Sequence, residues 1–139
     1  MTESAVVKWI DNMAFEANIM GHKIMIDADP EFGGQNKGPK PKPLMLVALA
    51  GCTGMDVVSL LNKMRVEFKS MNILVEATTT EEHPKKYIKM VVIYQIRGNN
   101  MDRSKVEKAV ELSKEKYCGV SASYKVSMDI DYRIEIIEE

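Results

Sequence analysis

The sequence predicts an α+β fold with the element order βββ–α–ββ–α–β. Three observations carry that prediction. Near the C-terminus Val126, Met128, Ile130, Tyr132, Ile134 and Ile136 alternate with Lys125, Ser127, Asp129, Asp131, Arg133 and Glu135, the two-residue period of a half-buried strand. The segment after Asp102 repeats at helical spacing instead, with Val106, Ala109, Val110, Ser113 and Tyr117 on one stripe. In mid-chain, "LVALAGCTGMDVVSLL" (Leu46–Leu61) is apolar almost all round, which marks a buried helix. An antiparallel sheet covered by helices on one face accommodates these elements. The central helix is too apolar for one small sheet to hide, so it is expected to be sandwiched in a homodimer.

Taken in order, Val6–Ile10 reads as a short strand, and Met13–Ile19 and Lys23–Ile26 alternate around a Met20-Gly21-His22 hairpin turn. "DADPEFGGQNKGPKPKP" (Asp27–Pro43) carries three glycines and four prolines and predicts a long loop of the kind that is usually functional or mobile. Pro41 and Pro43 stand where a helix start tolerates proline. The helix pattern runs from Leu44 to about Phe68. Strands over Asn72–Glu82 and Tyr87–Arg97 flank a His83-Pro84-Lys85-Lys86 turn. Asp102 is placed to cap the amphipathic helix, and Cys118-Gly119 to end it.

The totals exclude several function classes. A chain of 139 residues is expected to form one domain over 1–139. Its net charge of −1 supplies no attraction to nucleic acid or an anionic membrane. The N-terminus lacks a secretory pattern and the apolar run is too short for a typical membrane span, so a cytoplasmic protein is expected. The two cysteines form no CxxC and the two histidines, His22 and His83, fall in turns; no metal site and no cofactor is expected. "GGQNKG" is no phosphate loop, because neither a strand before it nor a Lys-Ser/Thr pair after it frames it.

The remaining candidates are the thiols. Each helix-interior glycine costs about 1 kcal/mol relative to alanine, yet Gly51 and Gly54 flank Cys52. Either something must approach the sulfur, or the glycines let another element pack closely. Met55, Asp56 and Ser59 share the Cys52 face. An ionised Asp56 would raise the thiol pKa, and Lys40 and Lys42 are the nearest cations in sequence before it. Cys118 reads as standing at a helix C-terminus, which disfavours an anion, although Lys114 and Lys116 lie within a turn. Ser121 and Ser123 of "CGVSAS" read as a solvated turn. From composition and spacing alone both cysteines read first as packing residues.

The helix carrying "LVALAGCTGMDVVSLL", the two strands, the amphipathic helix and "EKYCGVSASYKV" together resemble the OsmC/Ohr superfamily of organic-hydroperoxide-reducing proteins. The resemblance covers nearly the whole chain, and "GCTGMDVV" points to its OsmC-like branch. It implies antiparallel sheets wrapped around a long central apolar helix, in an intertwined homodimer with active sites at the subunit interface. It also implies a thiol peroxidase of oxidative-stress defence, acting on organic or lipid hydroperoxides. Cys52 would become a sulfenic acid and condense with Cys118 to a disulfide, which a small or lipoyl-type thiol would reduce. Peroxidases of the family carry an arginine from the N-terminal strands and a glutamate at the helix entrance. Here no arginine precedes Arg65, and Lys42, Pro43 and Leu44 occupy the helix entrance. Glu31, Lys42 and Asp56 are the candidate supporting residues, with Glu16, Lys23 and Lys40 nearby; Arg65, Arg97 or Arg133 of a second subunit is a further source of positive charge. The alternative is a non-peroxidase on the same fold that binds a lipophilic or thiol-bearing small molecule at the dimer interface.

Overall fold

Branched and aromatic residues at the N-terminus form a three-stranded antiparallel sheet of β1 (Val6–Asp11), β2 (Ala14–Ile19) and β3 (His22–Ile26), in that order. The β2–β3 hairpin closes through Met20 and Gly21 at φ 49° and 82°, the double left-handed turn whose twist matches paired strands. These coordinates come from a computed structural model that describes all 139 residues. The chain divides into two compact units, Met1–Met45 and Leu46–Glu139.

In the first unit the Asp27–Pro43 segment contains only one short helical turn, Pro30–Phe32, yet it has a definite organiser. The Asp27 carboxylate is 3% exposed and accepts the backbone N–H groups of Ala28, Gln35 and Lys37 at 2.7, 3.2 and 3.1 Å. Those bonds hold its acidity stronger than that of an ordinary carboxyl, Ala28 contributing most. Gly34 and Gly38 are required here: a Cβ on either would collide with the backbone of Ala28 or Met25. Val6, Val7, Trp9 and Phe32 remain more than half exposed.

The second unit contains most of the central helix, α1 (Leu44–Lys63), and a sheet of β4 (Ser70–Thr79), β5 (Tyr87–Gly98) and β6 (Asp129–Glu138). Between β5 and β6 lie α2 (Arg103–Leu112), a wide helical turn over Ser113–Tyr117, and α3 (Gly119–Tyr124). The α+β class stands. The sheets, however, are not antiparallel throughout: β4 pairs antiparallel to β5, whereas β6 runs parallel to β5. A strand–helix–strand connection of this kind is what permits parallel neighbours. Leu49, Val57 and Leu61 of α1, Met90, Val92 and Ile96 of β5, and Val106 and Ala109 of α2 are fully buried. Each such aliphatic side chain contributes roughly 1.5–3 kcal/mol by leaving water, alanine less.

Element ends differ from the sequence expectation where single residues intervene. The central helix stops at Lys63 rather than near Phe68 because Arg65 adopts φ 58°, outside the right-handed helical region. The last strand starts at Asp129, leaving Val126 in a turn at 86% exposed. Asp102 caps α2 as expected, accepting the Ser104 N–H at 3.0 Å. By length and composition α1 could cross a membrane, a property it shares with the core helices of soluble proteins. Its Val47 and Met55 stand 65% and 76% exposed, so the all-round burial expected of this helix is not reached within one chain.

Candidate active site

The second unit gathers the two cysteines although they belong to distant segments. Cys52 and Asp56 project from the same face of α1, one turn apart, and Cys118 sits at the start of α3. The two sulfurs and a carboxylate oxygen of Asp56 all lie within 4.8 Å of one another. Both thiols are free; Cys52 is half-buried and Cys118 is buried.

Cys118 is not simply at a helix C-terminus. Its backbone turns extended (φ −76°, ψ 102°), and it caps the N-terminus of α3, its sulfur accepting the Ser121 N–H at 3.3 Å. The solvated turn expected over "CGVSAS" is therefore a short helix, with Ser121 1% exposed. Burial pushes the Cys118 thiol up to about 11, against the pull of the Ser121 N–H; contact with Cys52 and the charge of Asp56 add to the rise. Lys114 and Lys116 sit over the rings of Tyr132 and Tyr117, with Nζ 5.3 and 5.7 Å from the ring centres.

A chain of buried hydroxyls ends on Asp56. Ser113 Oγ donates to Asp56 Oδ2 at 2.9 Å, Thr53 Oγ1 lies 2.8 Å from Ser113 Oγ, and Tyr94 Oη lies 2.6 Å from Thr53 Oγ1. Each hydroxyl has one proton to give. With Ser113 committed to the carboxylate, Thr53 must donate to Ser113 and Tyr94 to Thr53. Three protons thus point toward Asp56. Burial raises the pKa of Tyr94, keeping its proton in place at neutral pH. A second pair, Ser121 Oγ and Tyr132 Oη at 2.8 Å, braces the Cys118 side, and the Tyr94 and Tyr132 rings stack 6.4 Å apart.

The two glycines beside Cys52 have different reasons. A Cβ at Gly54 would lie 2.7 Å from Ile73 Cδ1, so this glycine lets α1 approach β4. Gly51 faces open space. With Met55, Val58, Met71 and Ile73 these glycines line a groove of about 610 Å³. Cys52 lies between the two glycines in sequence, though it does not itself line the groove. A smaller cleft of about 140 Å³ reaches Asp56 beside Ser59, Lys63 and Tyr117.

Of the residues singled out from sequence, the structure brings Cys52, Asp56 and Cys118 together. Glu31 and Lys42 belong to the first unit, Glu31 exposed in the Pro30–Phe32 turn and Lys42 in the turn before α1. Thr53 and Tyr94 are not singled out by the sequence, while Ser113 and Tyr132 read only as face residues and Ser121 as part of a solvated turn. One signal was present: Ser113 is a polar residue on an otherwise apolar stripe.

A family model described as OsmC-like protein matches residues 34–133. The chain belongs to the OsmC-like family. It is 29% identical to Protein YhfA of Escherichia coli K12 over 134 residues, 96% of this chain and 97% of that one. Its structure resembles the crystal structure of a hypothetical protein from Aquifex aeolicus VF5, with a TM-score of 0.87, 29% identity, and coverage of 100% and 98% of the two chains. It shares the fold of an organic hydroperoxide resistance protein OsmC from Legionella pneumophila, with a TM-score of 0.69, 16% identity and 97% of each chain covered.

Proposed function

We propose that this protein is a cysteine-based peroxidase that reduces organic or lipid hydroperoxides in the cytoplasm, with Cys52 as the attacking thiol and Cys118 as the resolving one. The observation that carries the reading is the approach of the two sulfurs to within 4.8 Å, close enough for side-chain rotation to bring them to bonding distance. In the first step Cys52 sulfur bonds to the distal peroxide oxygen, the O–O bond breaks, and the alkoxide leaves as an alcohol with the proton that the Cys52 thiol gives up. In the second, Cys118 sulfur attacks the sulfenic acid, an S–S bond forms, and the departing hydroxide leaves as water with the proton Cys118 gives up. Asp56, beside both sulfurs, is the group that carries that proton, and Ser113 holds its carboxylate in place. A small dithiol then reduces the disulfide.

The groove lined by Gly51, Met55, Val58 and Met71 suits an alkyl chain, because thioethers and small residues adapt to soft apolar guests. A homodimer belongs to the same reading: the exposed Val47 and Met55 of α1 are apolar surface a second copy would cover. The test treats reduced protein with equimolar cumene hydroperoxide and maps the products by non-reducing peptide mass spectrometry, with Cys52→Ser as control. Rapid, stoichiometric Cys52–Cys118 disulfide, faster with the organic peroxide than with hydrogen peroxide, supports the reading. Two free thiols after minutes of exposure refute it and leave the groove as a site for a small apolar ligand.

A further inference from the structure

The disulfide chemistry needs two sulfurs, yet a carboxylate stands beside them. The two sulfurs and a carboxylate oxygen of Asp56 lie within 4.8 Å of one another, a cluster of three potential metal-ligand atoms drawn from two separate segments. From the donor set we infer that Cys52, Asp56 and Cys118 form a three-ligand site for a thiophilic divalent cation, Zn²⁺ in the first instance. The inference does not depend on peroxidase activity.

The arrangement has the parts such a site needs. A tetrahedral zinc roughly 2.3 Å from sulfur and 2.0 Å from oxygen sets its ligand atoms about 3.5–3.8 Å apart, so side-chain rotations of about 1 Å complete the geometry. Cys52 and Asp56 are one helical turn apart, the spacing that points two side chains to one side. The supporting shell is present as well. Ser113 fixes one Asp56 oxygen at 2.9 Å, leaving the other as the ligand, and the Ser121 N–H donates to Cys118 sulfur at 3.3 Å; such outer contacts orient ligands and stabilise thiolate charge. A cleft of about 140 Å³ opens onto Asp56, though neither cysteine lines it. Three protein ligands leave one position for water or an incoming thiol, and the sulfur pair favours zinc over magnesium or calcium. Zinc binding at neutral pH displaces both thiol protons into solvent. The same sulfur electron pairs serve metal or disulfide but not both, so oxidation abolishes the site.

Reduced full-length protein titrated with Co²⁺, then Zn²⁺, tests the inference. The expected result is one Co²⁺ per chain with thiolate-to-metal charge transfer and the intense visible bands of tetrahedral coordination, displaced by Zn²⁺ with release of two protons per metal. Cys52→Ser and Cys118→Ser should each lose about half of the charge-transfer intensity and bind far more weakly. Asp56→Asn should keep the charge transfer, which shows that it is folded, while losing at least about tenfold in Zn²⁺ affinity. Absence of charge transfer in the wild type overturns the site. So does an Asp56→Asn variant that binds zinc as tightly as the wild type, since the cysteines alone would then account for binding.

Discussion

Thr53→Val isolates the buried hydroxyl chain with almost no change in side-chain shape. Thr53 Oγ1 joins Tyr94 Oη at 2.6 Å to Ser113 Oγ at 2.8 Å, and all three residues are fully buried. Valine removes both bonds, each with a net worth of about 0.5–1.5 kcal/mol. It also leaves the Tyr94 hydroxyl, now without an acceptor, in an apolar interior, a cost of about 1–3 kcal/mol. Ser113 retains its bond to Asp56 and loses only an incoming donor. The expected destabilisation is therefore about 2–6 kcal/mol. Urea unfolding of reduced protein at a single protein concentration measures it, with the m-value unchanged. Adding Tyr94→Phe to the valine variant should cost less than it does in the wild type, because phenylalanine removes the orphaned hydroxyl; the two changes are then non-additive by about 1 kcal/mol. A loss below about 1 kcal/mol for Thr53→Val, or strict additivity in the double variant, would refute the ordered chain.

Three further outcomes follow from single residues. Gly51→Ala places a methyl into the groove; it should raise helix stability by up to about 1 kcal/mol while slowing turnover of cumene hydroperoxide more than that of tert-butyl hydroperoxide, and equal slowing of both would remove the groove from substrate binding. The Asp27 carboxyl is held below its ordinary range by three N–H bonds, so its contribution to folding is complete above the ordinary carboxylate pKa and lost as pH falls through the lowered value; Asp27→Asn should flatten the acid limb of the thermal-stability profile. The Cys118 thiol, pushed up to about 11 by burial, should remain protonated and slow to alkylate at neutral pH. Because the unfolded chain gives up this proton first as pH rises, stability should fall across the alkaline range, and Cys118→Ser should lessen that fall.

Much of the architecture was written locally. The two-residue alternation from Ile130 to Ile136 and the Val106–Ser113 stripe each depend on a single period, and both elements occur where those periods lie. Asp102 caps its helix through a contact two residues away. The parallel pairing of β5 and β6 was not legible, because strand direction depends on the path of the intervening helices rather than on either strand's pattern. The site divides in the same way. The motif residues around Cys52 and Cys118 were visible in sequence, while the Tyr94–Thr53–Ser113–Asp56 chain joins positions from three separate segments and exists only in the folded chain. Asp27 lay within a segment that reads as loop, and nothing in its composition separates an organising carboxylate from a solvated one.

The central claim, that Cys52 reacts and Cys118 resolves, is tested most directly by turnover. Consumption of cumene hydroperoxide with dihydrolipoamide as reductant should be catalytic in the wild type and abolished in Cys52→Ser. In Cys118→Ser it should be strongly reduced, with Cys52 sulfenic acid trappable by dimedone. A wild-type rate no higher than that of Cys52→Ser would contradict the account.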